Sequence, residues 1–168
     1  MPISMYEACV PTVSRALTNL RAVLRKASEQ IQANDINPDA IMSFRLFPNM
    51  LPFRWQVYIA TDTAKLAAAR LGEIEAPVFT DDQVTFADLD ARIGRTLEFL
   101  AAIKPEQIDG SEDKDITIEH GTEKCRYTGQ RYLLGYVLPN LYFHVTTAYG
   151  ILRHNGIDIG KKDYMGDI

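Results

Sequence analysis

The stretch from Tyr6 to Ile31 constrains the fold more than any other. Tyr6, Val10, Val13, Leu17, Leu20, Leu24, Ala27 and Ile31 follow one another at steps of four and three. That spacing puts all eight on one side of a helix with about 3.6 residues per turn. An apolar stripe this long and regular needs other helices to cover it, so it predicts a bundle. Ser4 and Glu7 have the spacing of a capping box at the helix start. Pro11 removes one backbone bond and predicts a kink in the first turns. In "ANDINPD" the turn formers end the segment, Asn37 and Pro38 cap a short helix toward Met42, and "FPNMLP" is a loop.

The remaining helices follow from the same period. A second is expected from about Pro52 to Leu71, with Gly72 just past its end. Its Ile59, Ala60, Ala64, Ala67, Ala68 and Leu71 form a narrow face of mostly small residues, and Gln56 points toward the same interior. "EIEAPVFTDDQVT" is a linker. Thr85 then caps a third helix whose Phe86, Leu89, Ile93, Leu97, Leu100 and Ile103 keep the stripe until Pro105 stops it. "DITIEHGTEKCRYTG" alternates apolar and polar residues on either side of a turn, which predicts a small hairpin with an exposed His120 at its tip. The fourth long helix takes Pro139 into its first turn and stops at Asn155 and Gly156. The fold class is all-α: a four-helix bundle in one domain over residues 1–168, with a hairpin inserted before the last helix.

Composition narrows the partners. The 168 residues carry a net charge of −4, without the basic stripe that a phosphate backbone requires, so no nucleic acid partner is expected. No run approaches the roughly 20 apolar residues of a membrane span, and the N-terminus lacks a basic flank before an apolar stretch. A soluble, cytoplasmic protein without a membrane partner is expected. Cys9 and Cys125 are far apart and outside any C-x-x-C, and read as small buried hydrophobes. G-x-S-x-G, P-loop, G-x-G-x-x-G and H-E-x-x-H signatures are absent from the sequence.

The closing stretch "PNLYFHVTTAYGILRHNG" holds the candidate site. His154 lies in the last turn, where positive charge suits the carbonyl end of the helix. His144 is on the core-facing stripe, with Leu141 three residues before it, and Ala148 and Ile151 four and seven after it. Asn140 is one turn earlier on that face. Buried polar groups cost about 1–3 kcal/mol each if left unpaired. The pair therefore needs partners: each other, Gln56, water or a metal. Tyr132, Tyr136, Tyr142 and Tyr149 are either packing residues with polar tips or the walls of a small-molecule pocket beside His144.

The order of kinked helix, alanine-rich helix, Thr-capped helix, hairpin and closing motif followed by "IGKKDYMG" resembles the DinB/YfiT-like superfamily over essentially the whole chain. The closing motif is similar to one bacterial branch, a domain of unknown function. The resemblance implies a divalent metal held by three histidines, one on the second helix and two, four apart, on the fourth. Here His144 falls where the second of that pair belongs, Asn140 takes the place of the first, and Gln56 that of the helix-two histidine. One imidazole with two amides is a poor set for zinc or nickel, and the other acids in reach by sequence, Asp62 and Glu7, read as solvated. No cofactor is therefore expected, with a divalent metal such as zinc or nickel on His144 as the alternative. Three readings stay open: a metal-free small-ligand-binding homodimer with Gln56, Asn140, His144, Tyr142 and Tyr149 in its pocket; a metal-dependent thiol transferase or hydrolase using His144; and a structural homodimer.

Overall fold

The computed structural model describes residues 3–120 and 123–167. Its long helices are α1 (Met5–Ala33), α3 (Phe53–Gly72), α4 (Phe86–Ala101) and α7 (Leu138–His154). The short α2 (Pro38–Ser43), α5 (Pro105–Ile108) and α8 (Lys161–Met165) lie between and after them. Strands β1 (Asp115–His120) and β2 (Glu123–Thr128) pair antiparallel, with Ile116 opposite Tyr127 and Ile118 opposite Cys125. The tip of this hairpin, with the side chain of His120, lies outside the described residues.

The helices form because the stripes described above find cover. On α1, Val10, Val13, Leu17, Leu20, Leu24, Ala27 and Ile31 are all buried. Ser4 Oγ accepts the Glu7 N–H at its start. The Glu7 carbonyl, which the missing N–H of Pro11 would otherwise leave without an intrahelical donor, accepts the Thr12 hydroxyl at 3.3 Å. The helix continues through the proline to Ala33. Thr85 and Asp88 make a complete reciprocal cap on α4.

α3 is the central element, in contact with α1, α4 and α7, while α1 also packs on α4 and α7. It is therefore buried well beyond its alanine face: Phe53, Val57 and Tyr58 are in the core, whereas Ile59 is only half-buried. Its end differs from expectation. Gly72 is the last helical residue, and Glu73 takes the left-handed conformation at φ 51°. A Cβ on Gly72 would come within 2.7 Å of Ile74 Cδ1, the end of a side chain that would have to shift. Pro105 opens a further turn, α5, instead of only stopping α4.

The last long helix starts at Leu138 with Pro139 in its first turn, as expected, but it does not start from a loop. An α-turn, α6 (Gly129–Tyr132), and a π-helical turn (Leu133–Val137) run into α7, so Pro139 sits well inside a continuous helical path. Proline cannot donate to the carbonyl four residues back and crowds it. The wider turn just before it, closed by Leu138 N–H on the Leu133 carbonyl, accommodates that defect. The stop is as expected: Gly156 has φ 86° and Ile157 N–H reaches back to the Leu152 carbonyl. Cys9 is fully buried, which pushes its thiol up to about 12. Cys125 is half-buried, because its strand lies on the bundle's side rather than in it.

One buried cation fastens the long connection between α3 and α4. Arg92, on α4, has no exposed surface. Its Nε donates to Thr61 Oγ1 at 2.8 Å and its Nη2 to Asp62 Oδ2 at 3.0 Å, both on α3. Its Nη1 meets the Thr80 carbonyl, Asp81 Oδ1 and Gln83 Oε1 at 2.8–3.0 Å. The rings of Tyr58 and Phe79 lie 4.7 and 5.1 Å from the guanidinium carbon. Tyr58 in turn donates its hydroxyl to the Gln83 carbonyl. Lys65, itself buried, lies 2.8 Å from Asp62 Oδ1, an ion pair whose angles fall outside hydrogen-bond geometry. Replacing Arg92 by methionine leaves Asp62 to Lys65 alone and Asp81 to solvent, takes a donor from the buried Thr61 and Gln83, and frees residues 73–85. A loss of roughly 1–3 kcal/mol is expected in urea unfolding, with new proteolytic cleavage inside that segment.

Candidate functional site

The seam between α3 and α7 carries the polar residues singled out in the sequence. Gln56 is in the first turn of α3 and is 1% exposed; His144 is on α7 and is 8% exposed. Both are on core-facing stripes, so the packing that buries their apolar neighbours brings them together. His144 Nδ1 lies 2.7 Å from Gln56 Oε1. The other end of that amide, Nε2, donates to the Leu51 carbonyl at 2.7 Å. With the amide so oriented, Oε1 can only accept. His144 is therefore protonated on Nδ1, and the lone pair is on Nε2.

Asn140 is one turn away but belongs to a different pair. Its Nδ2 donates to Thr63 Oγ1 of α3 at 2.8 Å. The structure thus brings Gln56 and His144 together and sets Asn140 on a partner that sequence reasoning did not name. A threonine seven residues after Gln56 on α3 was the available signal, since two helical turns return to nearly the same face.

Burial lowers the His144 pKa to about 4, because a charged imidazolium would lose its water. Phe143 meets the ring edge-on with centroids 5.1 Å apart. The group is neutral at physiological pH and acts as a fixed donor across the seam.

The four tyrosines divide. Tyr132 and Tyr136 stack at 5.8 Å with Tyr127 of β2 beside them, and Arg70 donates to the Tyr132 hydroxyl at 2.9 Å. They pack the hairpin onto the helices. Tyr142 and Tyr149 lie on the outward side of α7, along an open apolar groove with Leu46, Pro139, Phe143 and Gly150. This is not the His144 side of the helix: two and five residues of offset turn them away from it. Tyr142 also walls a second cavity, between α1, α7 and α8.

The donor set is a poor fit to a divalent metal. Gln56 uses both ends of its amide within the seam, Asn140 is held by Thr63, and one imidazole nitrogen remains. Asp62 is engaged by Arg92 and Lys65, and Glu7 is exposed at the start of α1. Among the described residues no group of three His, Cys, Asp or Glu side chains is placed to hold a metal. His154 is exposed in the last turn of α7.

The pH dependence follows by linkage. The folded value near 4 lies below the unfolded value near 6.5, so protons bind the unfolded chain preferentially between those limits. The contribution is complete above pH 6.5 and is lost as pH falls toward 4. Unfolding free energy is expected to drop by about 2 kcal/mol from pH 7 to pH 5 through this group. In His144→Gln that component of the slope disappears, which urea titrations at the two pH values measure directly.

Comparison with known proteins places this arrangement. A family model described as a domain of unknown function, DUF1993, matches residues 5–165. The chain is similar to a DinB family member protein from Shewanella denitrificans, whose crystal structure superposes with a TM-score of 0.87. That likeness holds at 36% identity over 97% of this chain and 92% of the other. No curated protein matches. No helix among the described residues is long and apolar enough to cross a membrane.

Proposed function

Because the chain belongs to the DUF1993 family and has a DinB-like fold, we propose that it is a metal-free, small-ligand-binding homodimer. One observation carries the metal-free part. The amide and imidazole groups that stand where the superfamily's ligands would stand are engaged with Leu51, Thr63 and one another. A zinc or nickel ion would have to break those bonds in a nearly dry seam, and would gain one nitrogen and two weak amide oxygens. The ligand-binding part is supported by the cavity that Tyr142 walls between α1, α7 and α8.

The homodimer reading draws on the outward face of α7. Phe44, Leu46 and Phe47 of the loop after α2, and Tyr142 and Phe143 of α7, are 41–61% exposed. Five such side chains expose on the order of 500 Å² of apolar surface, given about 150–250 Å² for each aromatic ring when bare. That is at the upper end of what monomers leave exposed, and over half of the roughly 800 Å² that one partner of a stable pair covers. Phe47, at 61% exposure, follows Leu46 in the chain, and Leu46 lines a groove with Pro139 and Phe143. A knob and a hollow on one face complement themselves under a two-fold axis, so a second copy is the occupant.

Elemental analysis of untagged protein, expressed with zinc and nickel supplied, is expected to find far less than one equivalent of either. One equivalent that is lost in His144→Ala would contradict the metal-free reading. Light scattering is expected to give twice the 18.9 kDa of the chain, falling to one chain in the Phe47→Glu, Phe143→Glu double variant.

A further inference from the structure

The cavity between α1, α7 and α8 has a volume of about 200 Å³. Ala16 and Val145 form its apolar walls together with the side chains of Tyr142 and Tyr164, while Arg15 and Asn19 supply its polar edge. The C-terminal segment that closes it is fastened at several points. Asn19 Nδ2 donates to the Tyr164 and Met165 carbonyls at 3.1 and 2.7 Å, and Arg15 Nη2 to the Met165 carbonyl at 3.2 Å. The Tyr164 and Thr146 hydroxyls pair at 3.0 Å, and Lys26 binds Asp163 at 3.0 Å. Gly166 follows at φ 65°, and a Cβ there would come within 2.3 Å of Asn19 Oδ1. The closure is therefore built to a close fit, and three elements rather than two wall the half-open hollow beneath it.

We propose that this cavity binds a small monocarboxylate with an apolar body of about one aromatic ring. This rests on the small-ligand reading above and gives it a site and a ligand class. Size follows from volume, since about 150 Å³ is enough space for benzene. The remaining space suits one small polar group. Charge follows from Arg15: it meets one backbone carbonyl and no carboxylate among the described residues, leaving most of its planar donor fork for an anion. No acidic side chain lines the cavity to oppose that choice. The Tyr142 hydroxyl, whose pKa burial raises, stays protonated at neutral pH and is the second donor for the same carboxylate.

Benzoate is the probe, followed by calorimetry and by backbone amide shifts of the metal-free protein. Saturable binding is expected, with shifts confined to α1 around Ala16, α7 around Val145 and α8. Arg15→Gln is expected to weaken binding at least tenfold, and Ala16→Phe to abolish it by filling the hollow. Both variants are first shown to keep wild-type thermal unfolding and mass. Absence of saturable benzoate binding, binding undiminished in Arg15→Gln, or equal binding of benzamide would each overturn the assignment. Benzoate binding that requires added zinc would instead overturn the metal-free reading.

Discussion

A guanidinium with no access to water governs how this bundle closes. Arg92 satisfies its donors only if α3 presents Thr61 and Asp62 while the connection from 73 to 85 brings Thr80, Asp81 and Gln83 over it. A charge so placed tolerates few alternatives, since each missing partner leaves an unpaired ion in a low dielectric. The geometry therefore fixes the connection and the spacing of α3 against α4. It also leaves the opposite side of α3 free to pack on α7. The polar pairs of the seam, Gln56 with His144 and Asn140 with Thr63, are set by that arrangement.

The seam shows how a bundle of this family accommodates polar residues on facing helices by closing them on each other. A histidine whose proton is committed to a glutamine, in a site too dry to charge it, is a donor of fixed direction. Such a pair aligns two helices much as an interior asparagine sets register in coiled coils. Chemistry that requires a proton to enter and leave near pH 7 has little support there. Open space instead lies on the far side of α7, where Tyr142 stands between the outward groove and the half-open hollow under α8.

Much of this could be read in the chain. The α1 stripe, the Thr85 cap, the hairpin and the Gly156 stop are each set by local rules, and local rules held. Departures arose where tertiary structure decided. Gly72 looked like the residue just past the helix, but α3 runs through it and Glu73 takes the left-handed position. Pro139 is in the first turn of α7 as read, but the turns that lead into it were not seen, because a π-helical turn leaves no mark in a pattern of apolar spacing. Asp62 read as solvated because its partner, Arg92, was hidden between Leu89 and Ile93 on a stripe otherwise made of hydrophobes. An arginine at three residues after one core position and one before another was the visible sign. For the seam, the faces of Gln56 and His144 were evident from spacing, whereas the choice of Thr63 for Asn140 depended on how far along α3 the two helices meet.

His144 is a neutral donor locked to Gln56, and the proposed metal-free state depends on that lock. Long-range proton–nitrogen correlation spectra of the imidazole rings, assigned with His144→Gln, test it most directly. The expected spectrum shows a His144 ring protonated at Nδ1 and bare at Nε2, with no titration between pH 8 and 5 and no change on adding zinc. A ring that titrates near 6.5, or an Nε2 resonance displaced by stoichiometric zinc, would contradict it.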